Sequence, residues 1–385
     1  MAQVNSGEPS WAKLMEINKE TVSITVVTHD SEPSLARCLD SVLAQDWPGL
    51  EIIVVDNASQ DRTRSILARY RDRVRILYNA ENRGFSAAQN QAIRQASGEW
   101  ILALNPDALL APNFVSCLVR GGSLDPGIGT VCGKLLRAGP GLQILPERRL
   151  DSAGIYFTPT FRHFDRGMHL PDGEQYNQPA YVFGATAAAA LYRRRMIEDV
   201  SVEGEFFDED FFFFREDADV SWRAQLLGWK SLYLPDAVGY HVRRVFPECR
   251  RQLPPEINLH SVKNRFLMRV KNVTFPLYAK NFLTVTARDI AILFYCLLAE
   301  RSSLPAFAAV LRSWRRALAK RRIIQQRRRV SDAYLQGWFR FHPVIIPADL
   351  DLLAKPNLSP SLNRGTRSLL PLPATPAEPG RLPQL

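Results

Sequence analysis

The sequence predicts an α/β fold, a mostly parallel sheet flanked by helices, followed by a helical and basic C-terminal segment. Three observations predict it. Short β-branched runs alternate with helix-period stretches through residues 20–132. Polar clusters recur at the ends of successive runs. Charge is segregated as well: residues 241–330 hold 20 Lys and Arg against 4 Asp and Glu, so the rest of this +10 chain is weakly acidic.

The elements follow in order. Val22–Thr28 (VSITVVT), residues 51–55 (EIIVV), residues 74–78 and Trp100–Leu104 read as strands. Leu35, Cys38, Leu39, Val42 and Leu43 share one helical face behind Ser31 and Pro33, and residues 86–96 form a second helix stopped by Gly98. Strands alternating with helices imply right-handed parallel crossovers, with a ligand site at the C-terminal ends of the strands. Residues 150–241 are less regular and rich in aromatics and turns. Residues 259–330 read as helical, with the apolar run IAILFYCLLA inside residues 289–300, then residues 304–311, then repeated arginines. Beyond residue 346, prolines from Pro356 to Pro383 predict a disordered tail.

Composition removes several classes. A 46% hydrophobic and 23% charged chain is not wholly disordered, and Gly and Pro show no triplet period of a collagen-like fibre. Five scattered cysteines without a CxxC pair argue against a disulfide framework or structural zinc and for a reducing compartment. The N-terminus lacks an apolar core behind basic residues, so no secretion signal is expected. No run reaches the roughly 20 apolar residues of a bilayer span.

The two common nucleotide loops are missing. No GxGxxG follows the first strand, and residues 129–134 have the wrong spacing for a P-loop. Instead Thr28-His29-Asp30, Asp56-Asn57, Asn82-Arg83-Gly84-Phe85 and Asn105-Pro106-Asp107 end successive strands or their connections. One such cluster reads as a turn. Four on one sheet edge read as a shared site.

Five segments in order, VSITVVTHD, VVDNASQDRT, ENRGFSAAQNQAI, LALNPDALL and FDEDFFFFREDADVSWRAQLLGW, resemble the GT-A-fold family 2 glycosyltransferases across residues 20–270. The branch they most resemble is the rhamnosyltransferase-like enzymes of bacterial surface-polysaccharide assembly. The resemblance implies a Rossmann-like GT-A domain at 21–245, with a nucleotide-sugar half (21–132) and an acceptor half (133–245). Around it lie an N-terminal extension (1–20), a basic membrane-associating helical segment (246–345) and the Pro-rich tail (346–385).

The resemblance also implies roles. Thr28 and Asp56 would meet the nucleotide base, with Asp56 accepting the N3–H of uracil or thymine. Asn82, Gly84 and Phe85 would close over the nucleoside, and Arg83 either meets a phosphate or is a solvated surface arginine. Asn105-Pro106-Asp107 stands in the place of the family's DxD motif, where Mg²⁺ or Mn²⁺ neutralises a departing diphosphate. Asp107 supplies the carboxylate; Asn105 replaces the first acid and can bond a ribose hydroxyl. His241 would contact metal or diphosphate. Asp217 would be the base that deprotonates the acceptor hydroxyl, whereas Glu216 and Asp219 also suit a helix N-terminus. Gly184, Ala185, Glu216 and Trp222 would line the sugar and acceptor pocket, close packing being the equal alternative for Gly184 and Ala185. Asp151, Gly154, Arg166 and Gly167 match an acceptor-side segment without individual roles.

The expected activity is inverting transfer from a dTDP- or UDP-sugar, dTDP-rhamnose foremost, to a lipid-linked or polysaccharide acceptor. The expected location is the cytoplasmic face of the cell membrane, held by residues 280–330 against anionic lipid. The apolar run is half a spanning length and nine cations follow it between Arg312 and Arg329. A helical hairpin packed on the body is the competing arrangement. Two other classes fit less well. A nucleic-acid-binding protein would carry an RNP, KH, zinc-finger or helix-turn-helix signature beside its charge, so no nucleic acid is expected. A nucleotide-sugar pyrophosphorylase would carry a Gly-rich basic loop at residues 28–33, and this chain does not.

Overall fold

A computed structural model describes residues 20–245, 250 and 252–348. The expected Pro-rich tail, and all of the N-terminal extension except Glu20, lie outside these residues.

The first half alternates β1 (Val22–Thr28), α1 (Leu35–Leu43), β2 (Leu50–Asp56), α2 (Thr63–Ala68), β3 (Arg75–Tyr78), α3 (Gly84–Gln95), β4 (Trp100–Leu104), β5 (Ala108–Leu110) and α4 (Phe114–Gly122). Strands β4, β1, β2 and β3 lie side by side and parallel, with Thr28 opposite Asp56 and Val26 opposite Leu104. Every residue of β1 is buried. Val22, Ile24 and Val26 face one core with Leu35, Leu39 and Leu102, whereas Val27 faces the other with Val55, Ala88 and Ala103. Burial on both faces is why these strands read as continuous apolar runs.

The second half adds β6 (Ile128–Gly139), β7 (Gln143–Ile144), β8 (Leu150–Ser152), β9 (Ile155–Phe157), β10 (His163–Asp165), β11 (Ala180–Val182), β12 (Ala189–Arg193), α5 (Arg194–Val200), α6 (Glu216–Leu226) and β13 (Lys230–His241). Residues 150–241, irregular in sequence, therefore supply much of the sheet. Strand β12 runs antiparallel between β4 and β6, and β13 runs parallel to β6 and antiparallel to β5. The sheet is mixed in this half. The alanine run before Leu191 gives no strand signal of its own; pairing on both edges overrides local propensity.

Helices α7 (Pro255–Asn272), α8 (Phe275–Lys280), α9 (Phe282–Leu298), α10 (Pro305–Gln326) and α11 (Asp332–Trp338) follow, and β14 (Ile346–Pro347) pairs with β11. Helix α10 packs along α7, and both turn cations onto the body. Lys271 meets Asp208 and Asp219, while Lys320 meets Glu205, Asp208 and Asp210. Arg316 pairs with Glu205 and Asp210, Arg329 with Asp199 and Arg328 with Asp332. Arg321 and Arg327 donate to backbone carbonyls. The expectation of nine cations facing head groups is thus corrected. Six are held within the protein, and Arg312, Arg315 and Arg322 are the exposed ones with neither an ion pair nor a side-chain hydrogen bond among the described residues.

Helix α9 leaves Phe282, Leu283, Ile290, Leu293, Phe294, Leu297 and Leu298 exposed, and α10 adds Leu311, Trp314 and Leu318. No single helix among the described residues is long and apolar enough to cross a membrane. Helix α9 and the stretch Arg301–Gln326 meet at a 116° bend.

Candidate active site

Parallel pairing of β1, β2, β3 and β4 gathers their C-terminal ends, and with them the four polar clusters, on one edge. Asp56 is fully buried, its carboxylate accepting from Ser59 N–H (3.3 Å) and from Arg64 Nε (2.7 Å). Thr28 Oγ1 is buried beside it without a partner among the described residues. Asn57, to which no role was attached, is the hub of this edge. It donates to Asn82 Oδ1 (2.8 Å) and Gly84 O (3.3 Å), and accepts from Asn79 Nδ2 and Arg83 N–H. Asn82 in turn accepts from Gly84 N–H (2.9 Å).

Two expectations for this loop change. Gly84 has φ +78°, and a Cβ there would lie 2.5 Å from the Phe212 ring, so the close approach it permits is to the chain ahead of α6. Phe85 sits on Phe207 with ring centroids 5.8 Å apart, because α3 begins at Gly84 and turns this ring into the core. Arg83 is exposed.

Beyond β4 the strands assemble a second corner. Pairing of β5 with β13 sets Ala108 opposite His241, bringing His241 Nε2 to 3.4 Å from Asp107 and from the Asn105 amide. Strand β8 on β6 places Asp151 behind the imidazole, 2.8 Å from Nδ1. Arg243, two residues on along an extended chain, pairs with Asp151 (2.6 Å) and Asp165 (2.7 Å). Arg244 lies 3.3 Å from Asp107. Burial alone would lower the His241 pKa, but the Asp151 charge and hydrogen bonds to both acids raise it to about 10. Asp151 is likewise held far below the usual carboxylate range, His241 and Arg243 outweighing its burial.

Phe212, Phe214 and Arg215, all at positive φ, lead into α6. The three acids of its first turn diverge. Asp219 is fully buried and committed to Arg223 (2.9 Å), Asn272 (2.7 Å) and Lys271. Glu216 is buried with one oxygen unpartnered among the described residues, and burial and then the Asp217 charge raise its pKa. Asp217 is half-buried and reaches across to the segment before β12, where Ala187 N–H lies 3.3 Å from its Oδ2. Burial, then the Asp165 charge, raises its pKa, against hydrogen bonds from Ala218, Ala187 and Thr186. The neighbouring Ala188 carbonyl accepts from Asn105 N–H (3.0 Å), so Asp217 and the Asp107 corner flank one strand end.

The expected pocket residues part company. Trp222 is fully buried against Phe157, Phe161, Phe183 and Phe339, on the side of α6 that faces the core, and lines no sugar site. Gly184 and Ala185 are buried too. A Cβ at Gly184 would fall 1.9 Å from Ser221 Oγ, so the small side chain makes room for α6 rather than for a pyranose. Asp165 and Arg243 are the site-edge residues that sequence reasoning missed, and Asn57 was placed at the site without a role. The i, i+2 spacing of His241 and Arg243 in an extended run was the available signal for one of them.

Residues 23–200 match the family described as Glycosyl transferase family 2. The chain is 27% identical over 249 residues to the N-acetylglucosaminyl-diphospho-decaprenol L-rhamnosyltransferase of Mycobacterium tuberculosis (strain CDC 1551 / Oshkosh), covering 58% of this chain and 76% of that protein. It is 29% identical over 252 residues to an N-acetylglucosaminyltransferase of Bradyrhizobium diazoefficiens, covering 62% of this chain and 48% of that one. The crystal structure of GalNAc-T7 with UDP, GalNAc and Mn²⁺ superimposes with a TM-score of 0.51 at 16% identity, over 66% of this chain and 48% of that chain, and shares the fold. The ordered motifs, the GT-A sheet and these relatives together identify residues 23–200 as a family 2 glycosyltransferase domain.

Proposed function

We propose that the protein transfers a sugar with inversion from a pyrimidine-nucleotide donor to a hydroxyl of a lipid-linked glycan acceptor in cell-surface glycan assembly. dTDP-rhamnose is the donor to test first. The reading of donor and acceptor is supported by the names of the relatives. Its mechanistic part is carried by one observation: Asp217 alone among the α6 acids is accessible and lies across a strand end from Asp107 and His241.

Asp217 accepts the proton of the attacking hydroxyl, and its raised pKa makes it a stronger base than an ordinary aspartate. Each Asp56 oxygen keeps a lone pair for a base N3–H beside Arg64 and Ser59. Asp107 and His241 are the residues that would hold a divalent cation. Their donor set fits once His241 gives up its Nε2 proton: a carboxylate oxygen and the imidazole Nε2 face each other at 3.4 Å, with Nδ1 fixed by Asp151. Among the described residues no third metal-ligating side chain joins them, so the remaining ligands would have to come from the donor and water. Such an ion supplies charge neutralisation of the leaving diphosphate. On the membrane side, the exposed apolar row of α9 and α10 lies in the lipid interface, with Arg312, Arg315 and Arg322 toward anionic head groups.

The test is a panel of nucleotide sugars assayed for hydrolysis and for thermal stabilisation of the purified protein. A dTDP- or UDP-sugar should act in both. A panel on which nothing is hydrolysed and nothing stabilises the protein overturns the reading; a purine nucleotide sugar as the best donor overturns its pyrimidine part.

A further inference from the structure

Where α6, the β9–β10 hairpin, α7 and α9 meet, guanidinium groups outnumber acids. Arg215 donates through Nε to the Ser261 carbonyl (3.0 Å) and through Nη2 to the Ser261 hydroxyl (3.3 Å), and its Nη1 lies 3.0 Å from His163 Nδ1. The same hydroxyl accepts from Arg250 Nη1 (3.4 Å), so two guanidinium groups converge on one oxygen. Arg265, one turn along α7 from Ser261, and Arg288 of α9 each bury an Nε that has no partner among the described residues. Among the described residues the acids of this region are already matched: Glu300 to Arg250, Asp289 to Arg269 and Asp165 to Arg243. Burial, and then the charges of neighbouring arginines, pull the pKa of Arg215 and Arg265 down. Buried cations without acids are destabilising, and a polyanion relieves them.

We propose that Arg215, Arg265 and Arg288 form a subsite for the diphosphate of a lipid-linked acceptor. The inference rests on the acceptor reading above and specifies it. Position argues for the acceptor rather than the donor. Arg215 lies two residues ahead of Asp217 and feels its charge. The Asp107 corner lies on the far side of the Asp151–Arg243–Asp165 ladder. Inversion sets the attacking hydroxyl opposite the leaving diphosphate, so an anion held beside the base belongs to the attacking molecule. Helix α9 connects the two ends of such a molecule: Arg288 lies in the cluster, and Ile290, Phe294 and Leu297 farther along are exposed for an apolar chain.

The test uses the full chain and three probes: geranyl diphosphate, geraniol and UDP. Geranyl diphosphate should bind wild type much more tightly than geraniol does. Arg265→Gln and Arg288→Gln should each weaken it by about 10-fold or more, the worth of one charge-assisted hydrogen bond, with UDP affinity unchanged. Because each substitution removes self-repulsion, the variants should melt no lower than wild type; a merely structural arginine would melt lower. Arg265→Lys keeps the charge and should bind between wild type and Arg265→Gln. Equal binding of geraniol and geranyl diphosphate, unaltered binding in the Gln variants, a folded Lys variant no better than the Gln one, or a parallel loss of UDP each overturns the proposal. Phosphatidylglycerol vesicles separate the sources: if the variants lose vesicle binding but keep geranyl diphosphate, a phospholipid head group is the occupant and the proposal fails. Donor hydrolysis without acceptor is measured alongside. Donor turnover with no diphosphate binding refutes this subsite alone, whereas no turnover of any nucleotide sugar refutes the proposed function.

Discussion

Lys320→Met tests whether the basic C-terminal helices are structural partners of the catalytic body. The Lys320 side chain is 2% exposed, with its ammonium 2.8 Å from Glu205, 2.6 Å from Asp208 and 3.1 Å from Asp210. Methionine fills a similar volume but leaves three carboxylates facing one another. Breaking a buried ion pair by removing one partner costs about 3–5 kcal/mol. Arg316 still serves Glu205 and Asp210, and Lys271 still serves Asp208, so the lower end, about 3 kcal/mol, is expected. At roughly 2–4 °C per kcal/mol for a domain of this size, the melting temperature at pH 7 should fall by about 6–12 °C. The pH dependence has a definite sign. Lys271 and Lys320 outweigh burial and hold the Asp208 pKa below its ordinary value. That stabilisation is present above the unfolded carboxylate pKa and is lost as pH falls. Part of it is already missing in the variant, so the gap between the two proteins should narrow on acidification toward pH 4. Thermal melts at pH 7 and pH 4 measure both effects. A variant melting within a degree of wild type at pH 7, or a gap that widens in acid, would refute the reasoning.

Three further outcomes are expected. Asp217→Asn should cut transfer by roughly 10²–10⁴-fold with donor binding retained, and Glu216→Gln far less; because Asp217 must be ionised and its pKa is raised, wild-type kcat should rise with pH along a limb above the ordinary aspartate range, seen in a pH–rate profile. Chelation should abolish activity and Asp107→Ala should weaken nucleotide-sugar binding, measured by calorimetry; full activity in EDTA would move leaving-group neutralisation to Arg244 and His241. Changing Arg312, Arg315 and Arg322 together to Gln should reduce sedimentation with anionic liposomes by about 100-fold in affinity, at about 1 kcal/mol per cation, without lowering the melting temperature; equal sedimentation would end the membrane reading.

The legible part of the fold was the part with local signals. Strands β1, β2 and β4 are buried on both faces and announce themselves as apolar runs, and α1 shows its buried stripe at Leu35, Cys38, Leu39 and Val42. Strand β12 did not, because alanines favour a helix until two neighbours claim both edges. The site divides the same way. Asp107, Asp217 and His241 stand in recognisable motifs, but the Asp151–Arg243–Asp165 ladder joins β8, β10 and the residue two past β13, and exists only through their tertiary packing. Trp222 and Gly184 read as pocket residues because large and small side chains in a motif look functional. Their burial shows that packing accounts for both, Trp222 of α6 against Phe157, Phe161, Phe183 and Phe339, and Gly184 against Ser221 of α6. The charge asymmetry had a similar resolution in part: Arg316 and Lys320 of the basic segment meet the acidic loop of Glu205, Asp208 and Asp210 within the same chain.

That pairing changes what the C-terminal helices are for. The backbone leading to Asp217 is held in an unfavourable shape, with Phe212, Phe214 and Arg215 in the left-handed half of conformational space, each at a cost on the order of 1 kcal/mol or more. It persists because other elements grip it. Asn264 of α7 directs its amide to the carbonyls of Phe211, Phe213 and Phe214 at 2.8–2.9 Å, and Ser86 N–H takes the Phe212 carbonyl at 3.1 Å. Two residues past Asp217, Asp219 is tied to Asn272 and Lys271 of the same helix. The acid assigned as base is therefore aimed from one side by the nucleotide-side helix α3 and from the other by α7. The family match ends at residue 200, before Asp217, Asn264 and Lys271. Helix α7, which grips the loop that aims this acid, is itself braced along its length by α10, so the C-terminal helices hold the base in place as part of the catalytic body.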